Sequence, residues 1–340
     1  MCEMRCCPNC FADEFLRKQI RAESQGLSSC SFCGSQDIET IETEALLDRF
    51  NPVLDLYTVD QQGVDLATLL QRDWGTFGAP AGNATLDLLC AITSDQELRE
   101  GKYRCKIEQD ENKLEQWLAF SEELKHENRF FPALIPDQEH LRNLFELLTL
   151  PLLRIPERLY RARINATNKT FSADEMGMPP REIVANGRAN PRGIPYLYVA
   201  SNTRTAISEV RPFIGETVTV MELQVADQMA LVDLRNPRQT VSPFELLEDD
   251  LTAIYRDMPY LTLLGDELSK PIVRRDAELE YLPSQYLCEF VKHIGFEGIL
   301  YRSSLADGDN VALFKDDKLD RVSLGVYQIE EIGIKYVQLP

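Results

Sequence analysis

Six of the chain's nine cysteines fall within its first 33 residues, and four of those form two C-x-x-C pairs, Cys7-Pro-Asn-Cys10 and Cys30-Ser-Phe-Cys33, with 19 residues between them. A segment of about 40 residues buries too little apolar surface to hold itself folded without a staple. Crowded pairs of this kind differ from the spread cysteines of a short secreted disulfide protein. Two short knuckles supply the four soft ligands of a tetrahedral Zn²⁺. The pattern therefore predicts a zinc ribbon with Cys7, Cys10, Cys30 and Cys33 as ligands. Cys6 could replace Cys7, at a poorer spacing. Four thiolates fill the tetrahedron, so the expected zinc is structural rather than catalytic. Redox chemistry is a weaker reading, because it usually employs one C-x-x-C in a βαβ setting. Phe11, Phe15, Leu16 and Ile20 recur at near-helical spacing and predict a helix between the pairs.

The remaining composition narrows the class. With 340 residues, 44% of them hydrophobic and 27% charged, the chain reads as globular, with two or three domains. No run of about 18 apolar residues is present, and Met1–Arg5 does not start a secretory signal, so the expected location is the cytoplasm with no membrane contact. The net charge of −19 disfavours nucleic acid as a partner, and Arg17, Lys18 and Arg21 in the ribbon are too few to form a basic patch.

Three parts follow one another. Residues 1–42 form the ribbon. Residues 43–152 carry amphipathic patterns at 65–72, 83–92, 112–124 and 137–149 and read as a helical accessory domain. Residues 153–340 change character. Seven β-like runs appear, beginning at Arg158, Tyr196, Thr217, Met229, Gly298, Asn310 and Ser323, and helical stretches at 203–210 and 284–294 separate them. The expected class is α+β. The three histidines, His126, His140 and His293, lie in no metal or nucleophile motif, and there is neither a Walker loop nor a G-x-G-x-x-G after a strand.

The segment from Gly187 to Glu209, GRANPRGIPYLYVASNTRTAISE, resembles the signature of RES domains. Gly298-Ile-Leu-Tyr-Arg-Ser-Ser and Gly308-Asp-Asn-Val-Ala-Leu-Phe resemble that family's C-terminal serine block, and Arg158-Leu-Tyr-Arg161 its first strand. The resemblance covers about residues 155–318. The N-terminal parts are similar to the extension carried by some RES proteins, of the HEPN/RES N-terminal kind. It implies an ADP-ribosyltransferase-like fold and cleavage of NAD⁺ by hydrolysis or phosphorolysis. It also implies a toxin or bacterial defence effector neutralised by an antitoxin; because free NAD⁺ cleavage would harm the host, the N-terminal region is further expected to restrain the site, by covering it or by answering a trigger protein, with homo-oligomer formation left open. Transfer of ADP-ribose to a protein is one alternative, and a zinc-ribbon interaction module without turnover is another.

The resemblance assigns the name-giving arginine, glutamate and serine to Arg188, Glu209 and Ser303. The chemistry of these residues suits the reaction. Nicotinamide leaves as a neutral molecule, so no general acid is needed. The site must instead hold the dinucleotide and stabilise an oxocarbenium ion. Arg188 can fork onto the diphosphate. Tyr198 can stack on a base, although Tyr196 shares its strand parity. Glu209 can hold a ribose hydroxyl beside the developing cation. Ser303, or the adjacent Ser304, can hydrogen-bond ribose or phosphate. Arg161 is a second candidate for the anion, in competition with Arg158 and Arg163. Asn310 could support the site, although Gly308-Asp-Asn310 reads more simply as a plain turn before the strand.

Overall fold

The computed structural model describes residues 4–149, 155–166 and 169–333, apart from the side chain of Arg274. The expected boundary at 152–153 lies outside the described residues. Contacts along the chain group into two units, 1–111 with 238–260, and 112–237 with 261–340.

In the first unit, β1 (Arg5–Cys6) pairs with β4 (Ile41–Glu42), and β2 (Leu27–Ser28) pairs with β3 (Ile38–Glu39), both antiparallel. Helix α1 (Glu14–Glu23) lies between the cysteine pairs. The Asp13 carboxylate caps it by accepting the Leu16 N–H at 2.9 Å, and Leu16 and Ile20, one turn apart, face inward. Helices α2 (Leu47–Leu54), α3 (Leu66–Trp74) and α4 (Asn83–Thr93) follow. Between and after them β5 (Tyr57–Val64) and β6 (Tyr103–Cys105) form an antiparallel ladder, which the helical reading of this region did not contain. Phe11, Phe50, Phe77 and Phe244 build an aromatic core, with the Phe50 and Phe244 rings tilted against each other at 4.6 Å.

The second unit opens with α5 (Asn112–His126) and α6 (Gln138–Leu147). Its centre is a seven-stranded sheet of β7 (Arg158–Ile164), β8 (Leu197–Ala200), β9 (Thr217–Val225), β10 (Leu231–Asp233), β11 (Gly298–Arg302), β12 (Asp309–Leu313) and β13 (Leu319–Gln328). The order is β10-β11-β12-β8-β7-β9-β13, antiparallel throughout except for the parallel β10–β11 pair. Each of the seven β-like runs is a strand of this sheet. The helices are α7 (Thr203–Val210), α8 (Pro237–Thr240), α9 (Glu248–Ser269), α10 (Ala277–Glu280) and α11 (Leu282–His293). Residues 238–260, which include most of α8 and the first part of α9, are grouped with the first unit. Helix α9 runs 22 residues through Pro259 and was not anticipated.

Side-chain alternation sorts the sheet into two faces. Leu159, Leu197, Val199, Met221, Leu300 and Val311 are among the residues that form the larger apolar cluster on one face. The other face carries Ala162, Ala200, Val218 and Val220, against which α7 lays Ala206. Small side chains on that second face leave room above the sheet.

Candidate active site

Four strands set one row of side chains across the second face. Tyr160 on β7 is opposite Ala200 on β8, Ala200 is opposite Asn310 on β12, and Asn310 is opposite Tyr301 on β11. The methyl group of Ala200, between the larger Tyr160 and Asn310, creates a hollow. Helix α7 roofs part of it, and the loop before β8 walls another side. The resulting cavity, of about 330 Å³, is lined among others by Arg188, Tyr198, Glu209 and Ser304.

Glu209 stands in the last turn of α7. The helix starts at Asn202, whose side chain accepts the Thr205 N–H at 2.8 Å, and ends where Arg211 adopts the left-handed region ahead of Pro212. Two donors converge on a single carboxylate oxygen: Ser303 Oγ at 2.6 Å and Asn310 Nδ2 at 2.7 Å from Glu209 Oε1. The second oxygen, Oε2, has no partner among the described residues and is left for a ligand. The Ser303 hydroxyl also accepts the N–H groups of Leu305 at 3.1 Å and Ala306 at 3.2 Å, so its lone pairs and its proton are committed. Ser303 therefore positions Glu209, while its neighbour Ser304 faces the cavity. Gly308, in the turn between β11 and β12, makes this approach possible. A Cβ there would meet Thr205 Oγ1 at 2.3 Å and Asn202 Nδ2 at 2.6 Å.

Arg188 is held by its backbone and by its head. Its carbonyl accepts the Ser284 hydroxyl at 2.7 Å, and the preceding Gly187 carbonyl accepts Gln285 Nε2 at 2.8 Å, which docks the loop on α11. The guanidinium lies 5.5 Å over the Tyr281 ring and gives one N–H to the Glu267 carbonyl at 3.3 Å, near the C-terminal end of α9. Its other N–H groups have no hydrogen-bond partner among the described residues. Tyr198 presents its ring to the cavity but not its hydroxyl, which donates to Asn190 Oδ1 at 2.7 Å and accepts the Ala189 N–H at 2.9 Å. A Cβ at Gly187 would meet that hydroxyl at 2.6 Å, so this end of the cavity is closed by direct packing. Burial raises the Tyr198 and Tyr301 hydroxyls above the ordinary phenol range, so both stay protonated at neutral pH.

The structure thus brings Arg188, Tyr198, Glu209 and Ser304 to one cavity, with Ser303 behind Glu209. Arg161 is placed elsewhere. It alternates with Tyr160 and Ala162, both of which line the cavity, so its side chain leaves from the opposite face of the sheet. There burial, aided by the nearby Arg163 charge and opposed by Asp316, lowers it to about 10, and its Nη1 has no hydrogen-bond partner among the described residues. Tyr196, which shares parity with Tyr198, is buried against Phe314 at 4.7 Å. Sequence reasoning missed Tyr160, Arg211, Tyr281, Tyr301 and Arg302 and read Asn310 as a turn residue. Strand parity beside Tyr198 would have found Tyr160, whereas only tertiary structure reveals the others.

In the first unit, the Sγ atoms of Cys7, Cys10, Cys30 and Cys33 all lie within 4.8 Å of one another, with Cys7–Cys33 at 3.4 Å and Cys10–Cys30 at 3.3 Å. A tetrahedral Zn–S₄ site has edges of about 3.8 Å, so these four sulfurs fit a thiophilic cation. Cys6 is outside the cluster, and burial together with the nearby Cys30 and Cys7 pushes its thiol up to about 12.

A family model of the RES domain matches residues 155–330, more than half of the chain. The chain belongs to the RES-domain family. Among solved structures, the crystal structure of the M. tuberculosis MbcT–MbcA toxin–antitoxin complex is similar at a TM-score of 0.34 and 14% identity, over 57% of this chain and 93% of the matched chain. No curated protein matches the sequence. No helix among the described residues is long and apolar enough to cross a membrane.

Proposed function

We propose that this chain cleaves NAD⁺ at the bond between nicotinamide and ribose. The observation that carries the reading is Glu209, whose Oε1 is fixed by Ser303 and Asn310 while Oε2 is left at the cavity wall. A carboxylate held from behind, with one free oxygen, suits a ribose hydroxyl and the positive charge that develops at the anomeric carbon. Arg188 grips an anionic part of the substrate, and the Tyr198 ring packs on the nicotinamide. The C1′–N bond breaks with its electron pair going to the nicotinamide nitrogen. The oxygen of water or phosphate forms the new C1′–O bond, and any proton it releases passes to Glu209 or to solvent. Because no leaving group needs protonation, a site without histidine is sufficient. This activity fits a toxin whose host must restrain it, through an antitoxin or through the N-terminal parts.

The cysteine cluster holds one Zn²⁺ in this reading, which stabilises a segment with little core of its own. It takes no part in the bond cleavage.

The test is NAD⁺ loss by the purified full-length protein, with and without millimolar phosphate, beside Glu209→Ala. Loss in the wild type that disappears in the variant is the expected result, and a phosphate requirement would select phosphorolysis over hydrolysis. Equal loss in both proteins, or none in either, would sink the reading.

A further inference from the structure

Two buried tyrosines of the cavity differ in what their hydroxyls do. The Tyr198 hydroxyl is committed to Asn190 and to the Ala189 N–H. Tyr301 lines the same cavity and is 4% exposed, yet its hydroxyl has no hydrogen-bond partner among the described residues. A buried phenol ordinarily finds a partner in the protein. One that lacks a partner at the wall of a cavity points to a ligand.

The sheet fixes where this hydroxyl stands. Tyr301 on β11 is directly opposite Asn310 on β12, so both side chains rise from the same face with Cβ atoms roughly 5 Å apart. The short Asn310 side chain ends at Glu209 Oε1, and the longer phenol rises beside that pair. The electrostatics agree. Burial raises the Tyr301 hydroxyl most, Tyr198 and the Glu209 carboxylate raise it further, and the Arg188 guanidinium opposes them, so the hydroxyl lies within reach of both charges of the site.

Glu209 offers the complementary group. Its Oε1 accepts from Ser303 and Asn310, whereas its Oε2 has no partner among the described residues. An unpartnered acceptor and an unpartnered neutral donor thus share one cavity. A phosphate would satisfy the phenol but be repelled by the carboxylate, and an N–H group would satisfy the carboxylate alone. A hydroxyl group satisfies both, because it carries a proton for Oε2 and lone pairs for the phenol.

We propose that Tyr301 is a further substrate-binding residue: with Glu209 Oε2 it clamps one hydroxyl of the nicotinamide-side ribose, whose proton goes to the carboxylate while its oxygen accepts the Tyr301 O–H. The inference rests on the NAD⁺-cleavage reading and adds to it the group that recognises the sugar as a ribose. No covalent bond is made or broken at Tyr301.

The experiment measures nicotinamide release by full-length wild type and Tyr301→Phe from NAD⁺ and from two analogues, lacking the 2′- or the 3′-hydroxyl of that ribose, beside thermal melts of both proteins. Tyr301→Phe should lower kcat/KM for NAD⁺ by about tenfold. On at least one analogue the penalty should shrink to within about threefold, because variant and analogue then remove the same bond. Each analogue is compared with itself in the two proteins, so its intrinsic reactivity cancels. The melting temperature should not fall, since the free protein loses no hydrogen bond within itself. NAD⁺ turnover in the variant within about threefold of wild type, an equal penalty on all three substrates, or a melting temperature lowered along with turnover would overturn the proposal and leave NAD⁺ cleavage standing. If wild type cleaves nothing, the cleavage reading fails and calorimetry with NAD⁺ decides the clamp. Binding about tenfold weaker in the variant supports it; equal binding, or none to wild type, overturns it.

Discussion

Replacing Asn310 by leucine removes one of the two hydrogen bonds that fix Glu209 without leaving a polar orphan behind. Asn310 is 6% exposed, and its Nδ2 stands 2.7 Å from Glu209 Oε1. Leucine is close to asparagine in size, so the row from Tyr160 to Tyr301 keeps its packing. A hydrogen bond to an ionised acceptor contributes roughly 1.5–3 kcal/mol. The Ser303 bond survives, so the carboxylate stays tethered but is free to rotate about one contact. A loss of about 2 kcal/mol in transition-state stabilisation corresponds to about a 30-fold fall in kcat/KM. The fall should appear in kcat, because ligand binding depends on Arg188 and the tyrosines rather than on Asn310. Ser303→Ala should behave alike. The double variant should lose more than the sum, since both donors serve one oxygen and only their joint loss releases it. Nicotinamide release read beside a thermal melt separates chemistry from folding. A folded Asn310→Leu protein within about threefold of wild type would refute the argument, as would a change confined to KM.

Three further outcomes are expected. Metal analysis of protein purified without chelator should give about one zinc per chain, and Cys10→Ser or Cys30→Ser should abolish it and lower the melting temperature; a metal-free wild type that melts normally would contradict the zinc assignment. Arg161→Met should stabilise the fold by about 2 kcal/mol once partial exposure is discounted, because a half-buried guanidinium with one donor unsatisfied among the described residues gives way to an apolar chain of similar reach; full retention of turnover would support its place outside the site, and loss of turnover would return it there. Burial and Arg163 depress Arg161 in the folded state to about 10, so the folded protein binds fewer protons there than the unfolded one and the penalty is felt at all pH values below about 10, fading only above that. Tyr198→Phe should cost about 1–2 kcal/mol of stability, because Asn190 and Ala189 lose their partner, yet retain most turnover, since the ring and not the hydroxyl lines the cavity; a Phe variant as inactive as Tyr198→Ala would show that the hydroxyl acts on substrate.

What the sequence made legible had a local cause. The strands of the sheet announce themselves by β-branched and aromatic runs between turns, and α1 and α11 by apolar residues at helical spacing. The C-x-x-C pairs carry their geometry in their spacing. What stayed hidden had distant causes. Helix α9 contains Pro259, a residue that ordinarily ends a helix, and its burial among other elements overrides that local preference. Strand β5 includes Asp60-Gln-Gln-Gly and shows little apolar alternation, so its pairing with β6 depends on a partner some forty residues away. Asn310 looked like a turn because Gly308-Asp-Asn is turn chemistry, but only Gly308 lies in the turn, while Asp309 and Asn310 already belong to β12. The turn also delivers Asn310 to a carboxylate 101 residues back, which no local pattern records. Arg161 was misplaced for the opposite reason. A motif drew attention to the arginine, although period-two alternation puts its neighbour Tyr160 on the cavity side.

The order in which the chain is made bears on when the cavity is completed. The first unit needs residues only up to 260, whereas Glu209 waits for Ser303 and Asn310 before it is fixed. At ribosomal rates, the 50 residues from Tyr260 to Asn310 take roughly 3–10 s to add. Throughout that interval the N-terminal unit has all its residues, while the nascent carboxylate still lacks both of its anchors. A truncated product that stops in this interval would carry Arg188, Tyr198 and Glu209 but neither of the two side chains that fix the Glu209 carboxylate.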